Sequence, residues 1–127
     1  MKILTRKQFM NTPIGTVFSY YEPQCFRDLM IKQSDLSGWE TDFLYDNIIG
    51  ALESESSDEY SNKCVKMEAG ESVLMDFEAT SREGLFEEEQ LFAVYEKEDV
   101  EKLIKRLILS SLSPKSSEKA EGINIKE

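Results

Sequence analysis

The chain has 127 residues, a length that suits one hydrophobic core, because two cores of half that size would each be marginally stable. Its apolar fraction of 40% argues against a chain that is disordered throughout. No apolar run approaches the roughly 20 residues that cross a bilayer, and the polar start lacks the apolar stretch of a signal peptide. These features predict a cytoplasmic protein.

The charge is strongly negative and unevenly distributed. The net charge is −10, and residues 53–101 alone carry four basic and sixteen acidic side chains, a net of −12. Such a field repels nucleic acid and anionic membranes and favours basic protein surfaces. Solubility alone is the other explanation for this acidity. We expect a protein partner with a basic surface, and neither nucleic acid nor a membrane as a direct partner.

The first half of the chain predicts a short helix followed by three strands. Thr5 and Gln8 have the spacing of a capping box, which places a helix at residues 6–10. β-Branched and aromatic residues then predict strands at 16–21, 28–33 and 42–49. Strands that follow one another in this way pair most simply as an antiparallel meander.

A second helix and two further strands are predicted next. Ser56 or Ser57 can cap a helix that ends before Gly70, which occupies the position of a C-terminal glycine cap. Alternating side chains predict a half-buried strand at 72–79, with its acidic residues on the solvated face. The strand at 90–95 is apolar on both faces, so we expect it to lie centrally in the sheet.

The last predicted element is an amphipathic helix. One apolar stripe with helical spacing consists of Val100, Leu103, Ile104, Leu107, Ile108 and Leu112. We expect this stripe to pack on the sheet. The sequence therefore predicts an α+β domain over residues 1–112, with a mostly antiparallel sheet of about five strands and helices packed on one face. Residues 113–127 are polar and are predicted to be a disordered tail.

The residue types exclude most catalytic chemistry. Without histidine there is no Ser-His-Asp triad and no imidazole metal ligand, and the isolated glycines form no phosphate loop. Cys25 and Cys64 are too few for a zinc site or a disulfide framework. Asp76 and Glu78, on one predicted strand face, suit a divalent cation or acid–base work, but solvated carboxylates are the commoner explanation. We expect no enzyme activity, no cofactor and no metal.

An interaction surface remains as the functional hypothesis. Residues 82–89 place Leu85 and Phe86 inside an acidic connection, either as an exposed anchor or as a plug at the end of the core. Trp39 has the same two interpretations, lid or anchor. The candidate partner-binding residues are Asp76, Glu78, Glu83, Phe86, Glu87, Glu88 and Glu89.

Several motifs resemble a group of small acidic proteins encoded in phage and prophage genomes, whose function is not assigned. They are Arg6-x-x-Phe9, Pro13-x-Gly15-Thr16, Tyr21-x-Pro23, DLMIK at 28–32 and, most specifically, REGLFEEEQLFAVYEKEDV at 82–100. The resemblance covers roughly residues 1–108. It implies expression inside a bacterium, but no activity, ligand or catalytic residue.

Taken together, these features predict a non-enzymatic phage or prophage accessory protein that binds a protein through an acidic surface. One specific form is an inhibitor that imitates nucleic acid and occupies the basic groove of a host nucleic-acid-handling or defence enzyme. The alternative is a small structural, assembly or housekeeping phage protein.

Overall fold

The computed structural model describes residues 1–36 and 42–112. The protein has an α+β fold, as predicted. The elements in chain order are β1 (Lys2–Thr5), α1 (Arg6–Phe9), β2 (Val17–Glu22), β3 (Cys25–Asp35), β4 (Phe43–Asn47), α2 (Ser57–Glu68), β5 (Thr80–Arg82), β6 (Leu91–Tyr95) and α3 (Lys97–Ser111). The three strands predicted in the first half, the strand at 90–95 and all three helices are confirmed. Trp39 and the predicted tail at 113–127 lie outside the described residues.

The chain divides into two compact units, Met1–Val94 and Tyr95–Glu127. The first unit contains the sheet with α1 and α2, and the second contains α3. Each unit is described by itself below. The prediction of a single domain over residues 1–112 stays a prediction.

The sheet has six strands in the order β1-β6-β2-β3-β4-β5. The predicted meander is confirmed, because β3 pairs antiparallel with β2 on one side and with β4 on the other. β1 was missed by the sequence analysis. It pairs antiparallel with β6, with Ile3 opposite Ala93, so β6 has a neighbour on both sides and is central as predicted.

The strand predicted at residues 72–79 is not formed. Only an isolated bridge between Met75 and Leu52 remains there, and Phe77 is 52% exposed instead of facing the core. The carboxylate of Asp76 accepts the backbone N–H of Glu78 at 2.9 Å, a local turn bond that competes with a strand ladder. The edge strand beside β4 is instead β5, which begins after the predicted strand and was not predicted from the sequence.

The core of the first unit is an aromatic cluster around Phe9. The Phe9 ring stacks on Phe92 with centroids 4.4 Å apart, and it contacts the rings of Phe18 at 4.6 Å and Phe43 at 5.1 Å. Tyr20 and Met30 complete the buried set. The short helix α1 therefore contributes the central side chain of the core, and offset and tilted ring pairs of this kind add to the free energy of burial.

A buried lysine holds the end of α1. Lys32 on β3 is inaccessible to solvent, and its ammonium group donates to the carbonyl oxygens of Met10 at 3.2 Å and Thr12 at 2.7 Å. The carboxylate of Asp35 lies 3.0 Å from the same nitrogen. Because the carbonyls that follow a helix lack intrahelical partners, a cation placed there satisfies them and compensates its own burial.

The helix caps agree with the sequence. Thr5 and Gln8 form the predicted capping box of α1, and the hydroxyl of Ser56 accepts the backbone N–H of Glu59 at the start of α2. Gly70 follows α2 with a positive φ of 96°, a conformation that favours glycine after a helix. None of the described helices has the length and apolar content needed to cross a membrane.

The apolar stripe of α3 is not buried. Ile104 and Ile108 are about half exposed and Leu107 is 60% exposed, and α3 has no buried residue. Whether this stripe packs on the sheet, as expected from the sequence, stays a prediction, because the sheet and α3 belong to different units. The sequence period located the helix correctly, but a period alone does not say which surface covers the stripe.

The contrast between the Phe9 cluster and the α3 stripe predicts two different mutational costs. Phe9→Ala should lower the free energy of unfolding by about 3–5 kcal/mol, since it empties the centre of a packed core. Leu107→Ala should change it by no more than about 0.5 kcal/mol, as exposed substitutions do. Urea unfolding followed by circular dichroism measures both. Equal losses for the two variants would contradict this description of the core.

Candidate functional site

An open cleft of ≈ 400 Å³ lies where the β2–β3 hairpin meets the segment that leads into β6. The residues that line it are Tyr21, Glu22, Pro23, Glu87, Glu88, Glu89, Gln90 and Leu91. Four of these eight side chains are glutamates, and two of the others, Tyr21 and Pro23, offer ring surfaces. We call this feature the acidic cleft.

One wall of the acidic cleft is the tip of the β2–β3 hairpin. Pro23 and Gln24 form its two-residue turn, in which Gln24 has a φ of 66°, the pattern of a type II turn with proline first. The turn brings Glu22 opposite Cys25, whose thiol is exposed. Behind it, the rings of Tyr21 and Phe26 meet edge to face at 5.3 Å and stiffen the wall.

The opposite wall is a turn at residues 87–90. The backbone N–H of Gln90 donates to the carbonyl of Glu87 at 3.2 Å, so Glu88 and Glu89 are its central residues. The side-chain amide of Gln90 donates to the carbonyl of Leu91 at 2.8 Å and more weakly to that of Tyr21 at 3.4 Å. The bond to Tyr21 links this turn to β2, whereas the bond to Leu91 stays within the segment that leads into β6.

The carboxylates of this turn are not neutralised within the described part of the chain. No cationic group there lies within ion-pair distance of Glu87, Glu88 or Glu89, and all three residues are exposed. Glu22 on the other wall shares its charge with Arg27, 3.1 Å away in an exposed pair. Like charges held close together repel, so a cation that enters the cleft lowers the electrostatic energy.

Glu83 belongs to the interior and not to this acidic surface, which corrects the sequence expectation. Its side chain is fully buried and forms two parallel bonds with the guanidinium of Arg6, at 3.0 and 3.1 Å. The hydroxyl of Tyr20 donates to the same carboxylate at 3.1 Å. Burial raises the pKa of Tyr20, and the neighbouring charge of Glu83 and the hydrogen bond to it raise it further, so Tyr20 stays a donor.

The same arginine connects the buried pair to the cleft. Arg6 donates through its Nε to the backbone carbonyl of Glu87 at 2.8 Å. Its guanidinium carbon also lies 5.2 Å from the centroid of the Phe92 ring. A planar guanidinium can direct donors at both a carboxylate and a carbonyl, and a lysine cannot reproduce that fork. Arg6 therefore positions the first residue of the glutamate turn.

A second buried carboxylate, that of Asp42, binds the two residues that flank Glu83. Asp42 is buried and accepts the Nε of Arg82, the backbone N–H of Gly84 at 2.8 Å and that of Phe43 at 2.9 Å. Burial by itself raises the pKa of Asp42, but these hydrogen bonds and the charge of Arg82 outweigh it and hold the pKa below its usual value. Asp42 is thus a structural anion.

The remaining predicted site residues are placed differently. Asp76 and Glu78 lie in the turn that replaces the predicted strand, and neither lines the acidic cleft. Leu85 and Phe86 are 58% and 39% exposed, which contradicts the interpretation that they plug the end of the core. Of the seven candidates, the structure brings Glu87, Glu88 and Glu89 together.

The sequence analysis missed the hairpin wall of the cleft. Tyr21, Glu22 and Pro23 were not predicted as site residues, and they lie about 65 residues before the glutamates in the chain. A sheet order that places β6 beside β2 was the missing information. Among residues 1–36 and 42–112, no three cysteine or acidic side chains are arranged to hold a metal ion.

The buried Arg6–Glu83 pair predicts that the single variant Arg6→Met loses more free energy of unfolding than the double variant. Arg6→Met should lower the free energy of unfolding by about 3–5 kcal/mol, because it leaves a buried carboxylate without its cation. Adding Glu83→Gln should recover part of the loss, since the amide carries no charge and still accepts from Tyr20. Chemical denaturation of both variants provides the comparison. A double variant less stable than Arg6→Met would show that the pair is not the source of the cost.

No family model matches this sequence, and neither the curated proteins nor the solved structures include a similar chain.

Proposed function

We propose that this protein is a non-enzymatic binding protein that engages a basic surface of another protein through the acidic cleft. The observation that carries the proposal is the turn at 87–90, where three adjacent glutamates are exposed and have no cationic partner in the described part of the chain. Elsewhere in the first unit, acidic groups such as Glu83 and Asp42 are buried and paired. The contrast separates carboxylates that stabilise the fold from carboxylates that remain available to a partner.

The geometry of the cleft suits lysine and arginine side chains. The glutamates supply acceptors for charge-assisted hydrogen bonds, and Tyr21 and Pro23 supply ring surfaces for the apolar part of a long cationic side chain. A guanidinium can also stack on an aromatic face, as Arg27 does here over the ring of Tyr20 at 4.7 Å. The cleft therefore favours basic peptide surfaces over small neutral ligands.

The specific form of the proposal is a phage or prophage accessory protein that inhibits a nucleic-acid-handling or defence enzyme of the host. The net charge of −10 and the row of glutamates support it, because a basic groove that binds phosphates also attracts carboxylates. In this form, duplex DNA and this protein compete for the same partner. A partner whose binding is unaffected by DNA would restrict the proposal to its general form.

A charge-reversal variant tests the acidic cleft. Glu87→Lys, Glu88→Lys and Glu89→Lys combined should weaken partner binding by roughly tenfold or more, because each lost surface ion pair contributes up to about 1 kcal/mol and the reversed charges repel. Binding of the wild type should also fall between about 0.1 M and 1 M salt, as the Debye length shrinks from about 10 to 3 Å. The assay is affinity capture from a bacterial lysate, followed by titration of the isolated partner.

A matched control has the same change in net charge. Glu68, Glu71 and Glu101 are exposed and lie outside the cleft, so reversing them to lysine should change affinity far less. Circular dichroism should show both triple variants folded, since exposed charges contribute little to stability. Equal losses in the two triple variants would mean that only the overall charge matters, and the cleft would be excluded as the site.

A role in assembly is the second candidate, and the exposed stripe of α3 favours it. Ile104, Leu107 and Ile108 form one apolar face of an otherwise charged helix, a pattern typical of helices that bury one face against another protein. If the stripe mediates assembly, Leu107→Glu should abolish self-association seen by sedimentation equilibrium. A wild-type chain that remains monomeric at the highest soluble concentration would exclude self-assembly through this face.

A further inference from the structure

Leu85 and Phe86, which we call the apolar tip, are exposed although both are large and apolar. Leu85 is 58% and Phe86 39% exposed, and the next residue in the chain is Glu87 of the acidic cleft. Large apolar side chains with this much accessible surface beside exposed carboxylates are not part of the aromatic cluster around Phe9. They are typical of residues that become buried when a partner binds.

The backbone of the apolar tip is in an unfavourable conformation. Gly84 has a φ of 59° and Phe86 a φ of 55°, both in the left-handed region. Glycine adopts this region freely, but a bulky side chain with a Cβ does so at a cost in energy. For a residue in the core, burial would compensate that cost. Phe86 adopts this conformation at 39% exposure, outside the aromatic cluster of the core.

Buried groups hold the apolar tip on both sides. Before it, Glu83 is fixed by Arg6, and the backbone N–H of Gly84 donates to Asp42. After it, the carbonyl of Glu87 accepts from Arg6 at 2.8 Å. The tip thus spans two points that are tied to the interior of the first unit. A loop ordered in this way loses less conformational entropy when it binds, so more of its contact energy appears as affinity.

The ring of Phe86 contacts the side chain of Arg82. The guanidinium carbon of Arg82 lies 5.6 Å from the centroid of the Phe86 ring, and Arg82 is bonded to Asp42. A cation held against one face of the ring restricts its rotation. The exposed fraction of the ring is the part that a partner can cover.

The surrounding charge selects the kind of partner. Glu87, Glu88 and Glu89 follow the tip directly, and the net charge of the chain is −10. Nucleic acid, an anionic membrane and a second copy of this chain would all be repelled at this surface. We propose that the apolar tip and the acidic cleft together bind a basic amphipathic segment of another protein, in which an apolar face contacts Leu85 and Phe86 and flanking lysines or arginines contact the glutamates. This inference rests on the proposed function and adds the apolar half of the recognition.

Two synthetic peptides of equal charge separate the apolar contribution from the electrostatic one. One contains lysine with interspersed leucine and tryptophan, and the other contains lysine and glycine. The tip variant Leu85→Ser with Phe86→Gly should weaken binding of the amphipathic peptide by about tenfold, as loss of an aromatic anchor does, and change binding of the lysine–glycine peptide by no more than about twofold. Isothermal titration calorimetry measures all four affinities.

A control variant and a fold check keep the result interpretable. Leu74→Ser with Phe77→Ser removes two apolar side chains that are more exposed than those of the tip, and it should leave the affinity for both peptides unchanged. The melting temperature of the tip variant should stay close to that of the wild type, because glycine relieves the left-handed strain at position 86. Equal losses in the tip and control variants, or a tip variant that binds the amphipathic peptide like the wild type, would overturn the inference.

The neutral variant Glu87→Gln, Glu88→Gln and Glu89→Gln distinguishes this inference from the proposed function. If it weakens both peptides while the tip variant weakens neither, the acidic cleft stands and the apolar tip is not part of the site. If it weakens neither peptide, or if the wild type binds neither, the proposed function fails together with the inference.

Discussion

The contact between Arg6 and Glu83 is the constraint on which the rest of the first unit depends. The two residues are 77 positions apart, and both are buried. Their two parallel hydrogen bonds fix the short helix at the beginning of the chain to the segment between the fifth and sixth strands. Arg6 and Phe9 are three residues apart on the same helical turn. One turn of helix therefore supplies both the centre of the aromatic core and the guanidinium that binds Glu83 and the carbonyl of Glu87.

The acidity of the chain has two separate physical roles. Glu83, Asp42 and Asp46 are buried and accept hydrogen bonds from neighbouring strands and loops, so their charges stabilise particular backbone connections. Asp46, for example, accepts from Gln33 and Thr80 at 2.6 Å and thereby links β3, β4 and β5. The glutamates of the 87–90 turn have no such role. Net charge, which treats all of these groups alike, conceals the difference.

The sequence predicted local structure well where one signal dominates. The Thr5–Gln8 capping box, the glycine after α2 and the apolar period of α3 each depend on residues close together in the chain, and each marks an element that is present. The prediction failed at residues 72–79, where a hydrogen bond from the backbone N–H of Glu78 to the carboxylate of Asp76 ends an apparently regular alternation. It also missed β1, four residues whose pairing with β6 spans almost the whole unit.

Only half of the candidate site was predictable, because the sequence shows neighbours in the chain but not contacts between distant segments. Three adjacent glutamates are visible in the sequence, whereas the hairpin that faces them is not, because its position follows from sheet order. Glu83 looked like a fourth member of the acidic group, and only the distant Arg6 makes it a core residue. Exposure of the α3 stripe likewise depends on the tertiary structure and not on helical period.

The hairpin turn that forms one wall of the cleft has a practical consequence for chemistry on this protein. Cys25 pairs with Glu22 across that turn, and its thiol is exposed, whereas Cys64 on α2 is only partly accessible. Of the two thiols, that of Cys25 is the more accessible attachment point for a photo-crosslinker or fluorophore, and it lies next to the acidic cleft. The native chain can therefore be labelled beside the acidic cleft without any engineered residue.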